Sequence, residues 1–362
     1  MSLRHVELRD FRAFHGAALS PEPEGTTVIT GANGTGKTSV LEALAYLGTR
    51  RSFRGAPPEA MVRTGAESAI VRAQFDTPET SVLVEAEIKP AGRSRTRVNR
   101  KDATGRKVLA AAAPCTIFSP DDLALISGAP AGRRDLLDDT LALLDSEGAR
   151  AADETDRVLR QRAALLRAAG GRLAADAVTT LEVWDQRLAD AGKVLVAARE
   201  RLIAELEPLV AGAYGRLAGA DETSGDAAVT LRYQRSWDGD LADALTAART
   251  DDLRRGLNTV GPHRDDLVIV LDGRTARTHA SQGEQRCLAL ALRLGIHELV
   301  RVRTPVPPTL LLDDVFSELD PVRSRALVAE LPAGQSILTT ASPLPEGIAV
   351  ARVVPVETLR GG

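Results

Sequence analysis

Two spacings of apolar residues divide the chain. Up to about residue 115 the hydrophobic positions come in short alternating or β-branched runs. They predict strands at 3–14, 26–30, 69–75 and 81–88, the last with Val82, Val84, Ala86 and Ile88 on one face. One helical pattern interrupts them, opening at Ser39-Val40-Leu41-Glu42-Ala43-Leu44. From Ser119 the spacing turns helical. Ser119-Pro120-Asp121-Asp122 is a helix start, with Pro at the first position and acids in the first turn. Helical character continues through Arg133-Arg134-Asp135-Leu136-Leu137 to about Gly212, with a break at Gly170-Gly171.

Beyond that break leucines recur every seven residues at 181, 188, 195, 202 and 209, and Trp184, Ala191 and Ala198 fill the same face. Such a stripe suits a dimerising zipper or a partner helix in the same chain. A short turn makes neighbouring helices antiparallel, so an antiparallel pair with the helix before the glycines is the reading adopted. Strand character returns at 229–233 and 267–270, around a helix near 241–248. A long helix over 287–300, an apolar strand over 309–312 and a strand over 336–340 complete the pattern.

Composition adds little to the class. At 362 residues, 44% hydrophobic and 26% charged, the chain reads as a globular protein of two domains or of one with an insertion. It has no run of 18 apolar residues, and Met1–Glu7 alternates without a signal peptide's apolar core, so a cytoplasmic protein without membrane contact is expected. Cys115 and Cys287 are isolated, which argues against zinc and against a disulfide framework. The net charge of −3 neither demands nor excludes nucleic acid, and 3% aromatic residues are too few for a base-stacking platform. Charge is distributed unevenly, however. Residues 89–107 carry basic side chains at 89, 93, 95, 97, 100, 101, 106 and 107 against one acid, Asp102. A hairpin with a basic face is expected there, either simply solvated or a track for DNA phosphates.

The sharpest chemistry lies at Gly31-Ala32-Asn33-Gly34-Thr35-Gly36-Lys37-Thr38, which fits the phosphate-binding loop pattern between a β-branched strand and a helix. Glycines let successive backbone N–H groups face the phosphates, and the helix N-terminus adds favourable partial charge. Lys37 would reach the β- and γ-phosphates of ATP, and the Thr38 hydroxyl would ligate Mg²⁺. Only five of the 46 basic residues are lysines, yet Lys stands here, where a compact ammonium fits better than a planar fork.

The strand Thr309-Leu310-Leu311-Leu312-Asp313-Asp314 has the Walker B pattern. Asp313 would hold Mg²⁺, directly or through water, and Asp314 would orient or deprotonate the attacking water. Ser281-Gln282-Gly283-Glu284-Gln285-Arg286 opens the long helix that precedes this strand, with a capping serine and a glycine that permits close approach. One nucleotide does not need two such helix ends from one chain, so Ser281 and Gly283 are expected to serve a partner subunit's nucleotide. Ser317-Glu318-Leu319-Asp320 has the place of a D-loop.

This set resembles the ABC-type ATPases of the SMC/Rad50-like group, and within them the RecF family of recombination mediators. The similarity covers essentially the whole chain, through Leu8–Arg12, Gly31–Thr38, Leu41–Ala43, Arg51–Arg54, Phe118–Leu123, Arg133-Arg134, Gly261–Leu267, Ser281–Arg286 and Leu312–Asp320. The resemblance implies an α/β ABC-type ATPase head, with mixed sheets around the phosphate-loop helix and an inserted helical lobe with a short antiparallel arm. Lobe I would be 1–115 with 305–362, and lobe II 116–304, with its arm at about 135–215 and the signature at 281–286. It also implies ATP-dependent homodimerisation on double-stranded DNA at single-strand gaps or junctions. The partners RecO and RecR would then promote RecA loading in recombinational repair and replication-fork maintenance. A weak, DNA-dependent ATPase activity would reset the clamp.

The same resemblance suggests that Arg12 touches a phosphate and that Arg133 and Arg134 serve a dimer or lobe interface. His263, in a dense polar turn, suits a structural role at least as well as catalysis. Two departures stand out. The residue following Thr339 is Thr340, where transporter cassettes carry a switch histidine, so Thr340 is a candidate substitute. The usual catalytic Glu is Asp314, which fits slow turnover. The rival reading is the energising subunit of a membrane transporter, against which the basic hairpin, the altered switch position and the helical insertion all count. Arg50–Arg54, the hairpin, Arg160, Arg162 and Arg167 are the candidate DNA contacts.

Overall fold

The computed structural model describes residues 1–77, 79–171, 175–219 and 228–360. Contacts divide the chain into two units. One comprises Met1–Leu123, Leu209–Ala227 and Ser281–Gly362, and the other Ala124–Pro208 and Ala228–Ala280.

The first unit begins with β1 (Ser2–Phe11), β2 (Phe14–Leu19) and β3 (Gly25–Thr30), followed by α1 (Lys37–Thr49) and the one-turn α2 (Pro58–Met61). The single strand expected over 3–14 is therefore a tight hairpin, with Phe11 paired to Phe14 across Arg12-Ala13. Its turn takes a left-handed residue at Arg12, φ 53°, a conformation that glycine or asparagine would have advertised. Next come β4 (Ala69–Asp76), β5 (Ser81–Ile88), β6 (Arg95–Val98) and β7 (Lys101–Asp102), and then α3 (Arg106–Ala112) and β8 (Cys115–Phe118). The expected basic hairpin is β6–β7, turning through Asn99-Arg100, both at positive φ. The 3₁₀ turn Pro120–Asp122 starts as read. Ser119 Oγ accepts from the Asp121 N–H and the Ser119 N–H donates back to Asp122.

Between these segments and the C-terminus the second unit contributes α4 (Leu123–Ser127), α5 (Pro130–Leu144), α6 (Ser146–Ala168), α7 (Ala175–Ala218) up to Pro208, its last turns from Leu209 belonging to the first unit, β9 (Val229–Gln234), α8 (Leu241–Arg255), β10 (Asp266–Leu271), β11 (Arg274–Thr275) and α9 (Ala276–His279). The chain then returns to the first unit through α10 (Gln282–Arg303), β12 (Thr309–Asp313), α11 (Pro321–Glu330), β13 (Gln335–Thr340) and β14 (Val350–Pro355).

Two sheets enclose the core of the first unit. The sheet β2-β1-β4-β5-β6-β7 is antiparallel, and β14-β3-β13-β12-β8 is parallel throughout. Leu3, Val6, Phe11 and Val71 from the first sheet join Ile29, Leu311 and Ile337 from the second and Val40, Leu41, Leu44 and Leu47 of α1 in one apolar cluster. That is why α1 carries so few polar residues: it is buried on nearly every side.

Helix α10 belongs to this unit, which corrects the expected lobe boundary at 304. His297 is hydrogen-bonded to Thr116 of β8, and Arg293 pairs with Asp122. A Cβ at Gly295 would lie 2.9 Å from Val210 Cγ2, so the last turns of α7 also press on this helix. Among the described residues no helix is long and apolar enough to cross a membrane.

In the second unit α6 and α7 run antiparallel. Arg201 meets Asp145, a Cβ on Gly148 would touch Ala198, and Arg162 meets Asp185, so partners descend on one helix as they ascend on the other. Leu181, Leu188, Leu195 and Leu202 are buried within the chain, which spends the heptad stripe on internal packing. Leu209 departs from it. Pro208 lies just before it inside α7, and from there Val210, Ala213, Tyr214 and Leu217 are the buried residues.

Two of the buried arginines that tie this unit together correct the sequence reading. Arg162, fully buried, pairs with Asp185 and Asp252 and cannot contact DNA. Arg133, also buried, makes a two-pronged pair with Asp266 at 2.7 and 2.8 Å and donates to the Leu125 and Gly128 carbonyls, while Arg134 donates to the Asp265 carbonyl. These are internal ties, where the sequence pointed to an interface. His263 accordingly has a structural place, with Nε2 3.1 Å from the Asn258 carbonyl and a pKa that burial pushes down.

Candidate nucleotide site

The site is assembled at the carboxyl ends of adjacent parallel strands. β3 delivers the phosphate loop, β12 delivers Asp313-Asp314, and β13 lies between them. Gly34 and Gly36 hold φ of 79° and 106°, which turns the loop so that its N–H groups can face one point. At Gly36 even space requires glycine, since a Cβ would sit 2.8 Å from Phe14 Cζ. Gly36 is also the N-cap of α1, with no side chain capping it; the Ser39 N–H donates to the Gly36 carbonyl at 2.9 Å, and the Lys37 and Thr38 N–H groups at the helix start are placed to meet an anion.

Lys37 Nζ lies over the loop and donates to the carbonyls of Gly31 and Ala32 at 2.7 and 2.9 Å. Thr35 Oγ1 donates to Ala32, and Arg360 holds the Thr35 carbonyl from outside at 2.9 Å. Thr38 Oγ1 donates to Asp313 Oδ1 at 2.8 Å, joining residues 275 apart in sequence. Burial raises the Asp313 carboxyl pKa, and the neighbouring Asp314 adds to that, whereas hydrogen bonds from Thr339 and Thr38 and the charge of Arg54 oppose it.

These groups fit Mg-ATP. The donors are oxygens only, a hydroxyl beside a carboxylate, next to unfilled backbone N–H groups. Among the described residues no three His, Cys, Asp or Glu side chains cluster to hold a metal alone. Mg²⁺ is characteristically held by one or two protein oxygens, with phosphates and water completing its shell.

Arg12 is tied down on the same side. Its guanidinium donates to Glu42 at 2.8 and 2.5 Å and to the Ala60 carbonyl at 2.7 Å, which leaves two of its five N–H groups for a ligand. Glu42, wholly buried, also accepts from Ser52 Oγ, and that hydroxyl accepts from the Arg54 N–H. Glu42, Ser52 and Arg54 were not expected at the nucleotide: Leu41–Ala43 and Arg51–Arg54 carried the family resemblance, but Arg50–Arg54 was read as a candidate DNA contact.

Ser281 and Gly283 lie elsewhere. Ser281 is exposed and its hydroxyl accepts from the Glu284 N–H at 3.3 Å, in a capping box. Gly283 faces the Arg323 guanidinium. Arg286 donates to the Glu318 carbonyl and pairs with its carboxylate, both at 3.1 Å, so the signature helix touches the D-loop segment of its own chain. Thr340 does not face the phosphate loop: its hydroxyl donates to the Ser342 carbonyl and accepts from the Ser342 N–H, closing a local turn.

A parallel sheet that brings Walker A and Walker B together at the ends of strands flanking β13, with a signature helix before the Walker B strand and a D-loop after it, defines an ABC-type ATPase head. The profile described as RecF/RecN/SMC N terminal domain matches residues 2–340. A DNA replication and repair protein RecF from Frankia alni is 41% identical over 361 residues, covering 94% of this chain and 93% of that one. The RecF of Streptomyces avermitilis is 40% identical, with 94% of each covered. A solved structure of the recombination mediator RecF with ATP, in the RecFOR pathway, superposes with a TM-score of 0.81 at 27% identity, covering 94% of this chain and 93% of that one. An Smc head domain from Pyrococcus furiosus, 17% identical with a TM-score of 0.52 and covering 94% of this chain and 90% of that one, shares the fold. The chain belongs to the RecF family.

Proposed function

We propose that this protein is an ATP-gated DNA-binding recombination mediator. The observation that carries the reading is the Thr38–Asp313 hydrogen bond, which joins Walker A to Walker B and supports their acting on a single Mg-ATP. Lys37 and the loop N–H groups bind the phosphates, Thr38 and Asp313 hold Mg²⁺, and Arg12 supplies its free N–H groups to a phosphate. Held by Thr38 and Asp313, Mg²⁺ would offset the negative charge of the phosphates. Asp314 orients and deprotonates the attacking water. A carboxylate one methylene shorter than Glu reaches that water less well, consistent with slow hydrolysis that acts as a timer.

The exposed signature serine supports dimerisation. Ser281 and Gly283 are supplied in trans to the partner's nucleotide, so ATP closes two copies head to tail around duplex DNA. The relatives are named for DNA replication and repair and for the RecFOR pathway, which supports DNA as the site of action and RecO and RecR as partners; action at gaps and RecA loading are the finer part of this proposal. The exposed arginines of β6–β7 are the candidate phosphate contacts. Light scattering tests the core of this reading. Ser281→Arg should bind ATP with wild-type affinity yet stay monomeric, and an ATP-dependent dimer of that variant would refute the trans site.

A further inference from the structure

Strand β13 carries two consecutive threonines, and the second was the expected substitute for a switch residue. The hydrogen bonds reverse that order. Thr340 is spent on its own turn, whereas Thr339 stands in register with Asp313 on one side and with Ile29, two residues before the phosphate loop, on the other. Thr339 Oγ1 donates to Asp313 Oδ1 at 2.7 Å and accepts from the Asp314 N–H at 3.2 Å. Its carbonyl accepts from the same Asp314 N–H at 3.0 Å. Both polar groups of Thr339 thus fix the Walker B pair, one through a side chain and the other through the backbone.

The second tie matters because Asp314 sits at φ 47°, left-handed for a residue with a Cβ, and such a conformation persists where its surroundings over-determine it. Relaxation to ordinary extended geometry would swing the Asp314 carboxylate off its present line. The first tie matters because Asp313 Oδ1 receives two hydroxyl donors. Thr38 is itself a candidate metal ligand, which leaves Thr339 as the donor with no other duty in the site.

We infer that Thr339 is a positioning residue that holds Asp313 for Mg²⁺ and Asp314 for the attacking water. The inference rests on the nucleotide reading above. Thr339→Val is nearly isosteric and removes only the hydroxyl, and Thr339→Ser keeps the hydroxyl without the methyl.

The test is a Mg²⁺ titration of fluorescent ATP binding to the full-length protein, with turnover measured alongside. Loss of one hydrogen bond to a charged group predicts that Thr339→Val needs about tenfold more Mg²⁺ for half-maximal binding. Its binding of nucleotide in EDTA should be unchanged, its kcat lower, and Thr339→Ser should restore both Mg²⁺ requirement and kcat. A wild-type Mg²⁺ requirement in Thr339→Val would overturn the inference, as would equal losses in Thr339→Val and Thr339→Ser, which would indicate packing by the methyl group. If the unaltered protein bound no Mg-ATP, the nucleotide reading itself would fall, an outcome distinct from either.

Discussion

Replacing Arg162 by Met separates structural arginines from DNA-binding ones. Arg162 is 0% exposed, and its partners Asp252 and Asp185 are 0% and 6% exposed at 2.5 and 2.7 Å. Met fills similar volume but leaves the carboxylates behind. Asp185 keeps Arg249 at 2.8 Å, whereas Asp252 keeps only the Thr259 N–H and hydroxyl. Breaking a buried pair from one side costs about 3–5 kcal/mol. One Arg162 nitrogen, Nη2, has no partner, so the existing network is imperfect and the lower end, about 3 kcal/mol, is expected.

The chain's two tryptophans, Trp184 and Trp237, both pack against the apolar cluster of this second unit, so their fluorescence reports its unfolding. With a urea slope of about 2 kcal/mol/M the midpoint should fall by about 1.5 M. ATP binding, measured below the transition, should be retained. A midpoint shift under about 0.3 M, which that slope converts to about 0.6 kcal/mol, would refute the claim that the pair is buried and structural. Weakened DNA binding at full stability would return Arg162 to the candidate contacts.

Two further outcomes follow from the same structure. Burial lowers the His297 pKa to about 4, so the unfolded chain binds a proton that the folded one refuses between pH 6.5 and 4. Stability should fall as pH falls through that window, by about 2 kcal/mol at pH 5 relative to His297→Gln, and parallel pH–stability curves would contradict it. On the basic hairpin, changing Arg93, Arg95 and Arg100 to Ala should weaken duplex binding and reduce the salt slope by about 2–3, and an unchanged slope would place the DNA elsewhere.

How far the sequence carried depends on whether a residue's role is local. The phosphate loop, the Walker B strand and the Ser281 and Ser119 caps were legible because their chemistry is set by neighbours a few residues away. Arg162 was read as a candidate DNA contact on the arm because its partners lie 23 and 90 positions on, at Asp185 and Asp252. Thr339 gave no sign because its function depends on β13 lying beside β12, a fact of topology. The hairpin at Arg12-Ala13 was hidden by a turn without glycine. Helix α10 was assigned to the wrong lobe because its helical spacing says nothing of which sheet it covers, and Thr116–His297 decides that.

The proposed function turns on ATP closing two copies of this chain on DNA. Asp314→Asn keeps the shape of the site while removing the carboxylate that activates water, so it should hold ATP without clearing it. The decisive measurement is binding of a labelled gapped duplex by that variant at fixed moderate salt, with and without ATP, with the number of chains per DNA determined. The account predicts tight binding only with ATP and two chains per duplex. ATP bound by the protein with no gain in DNA binding, or one chain per duplex, would contradict it.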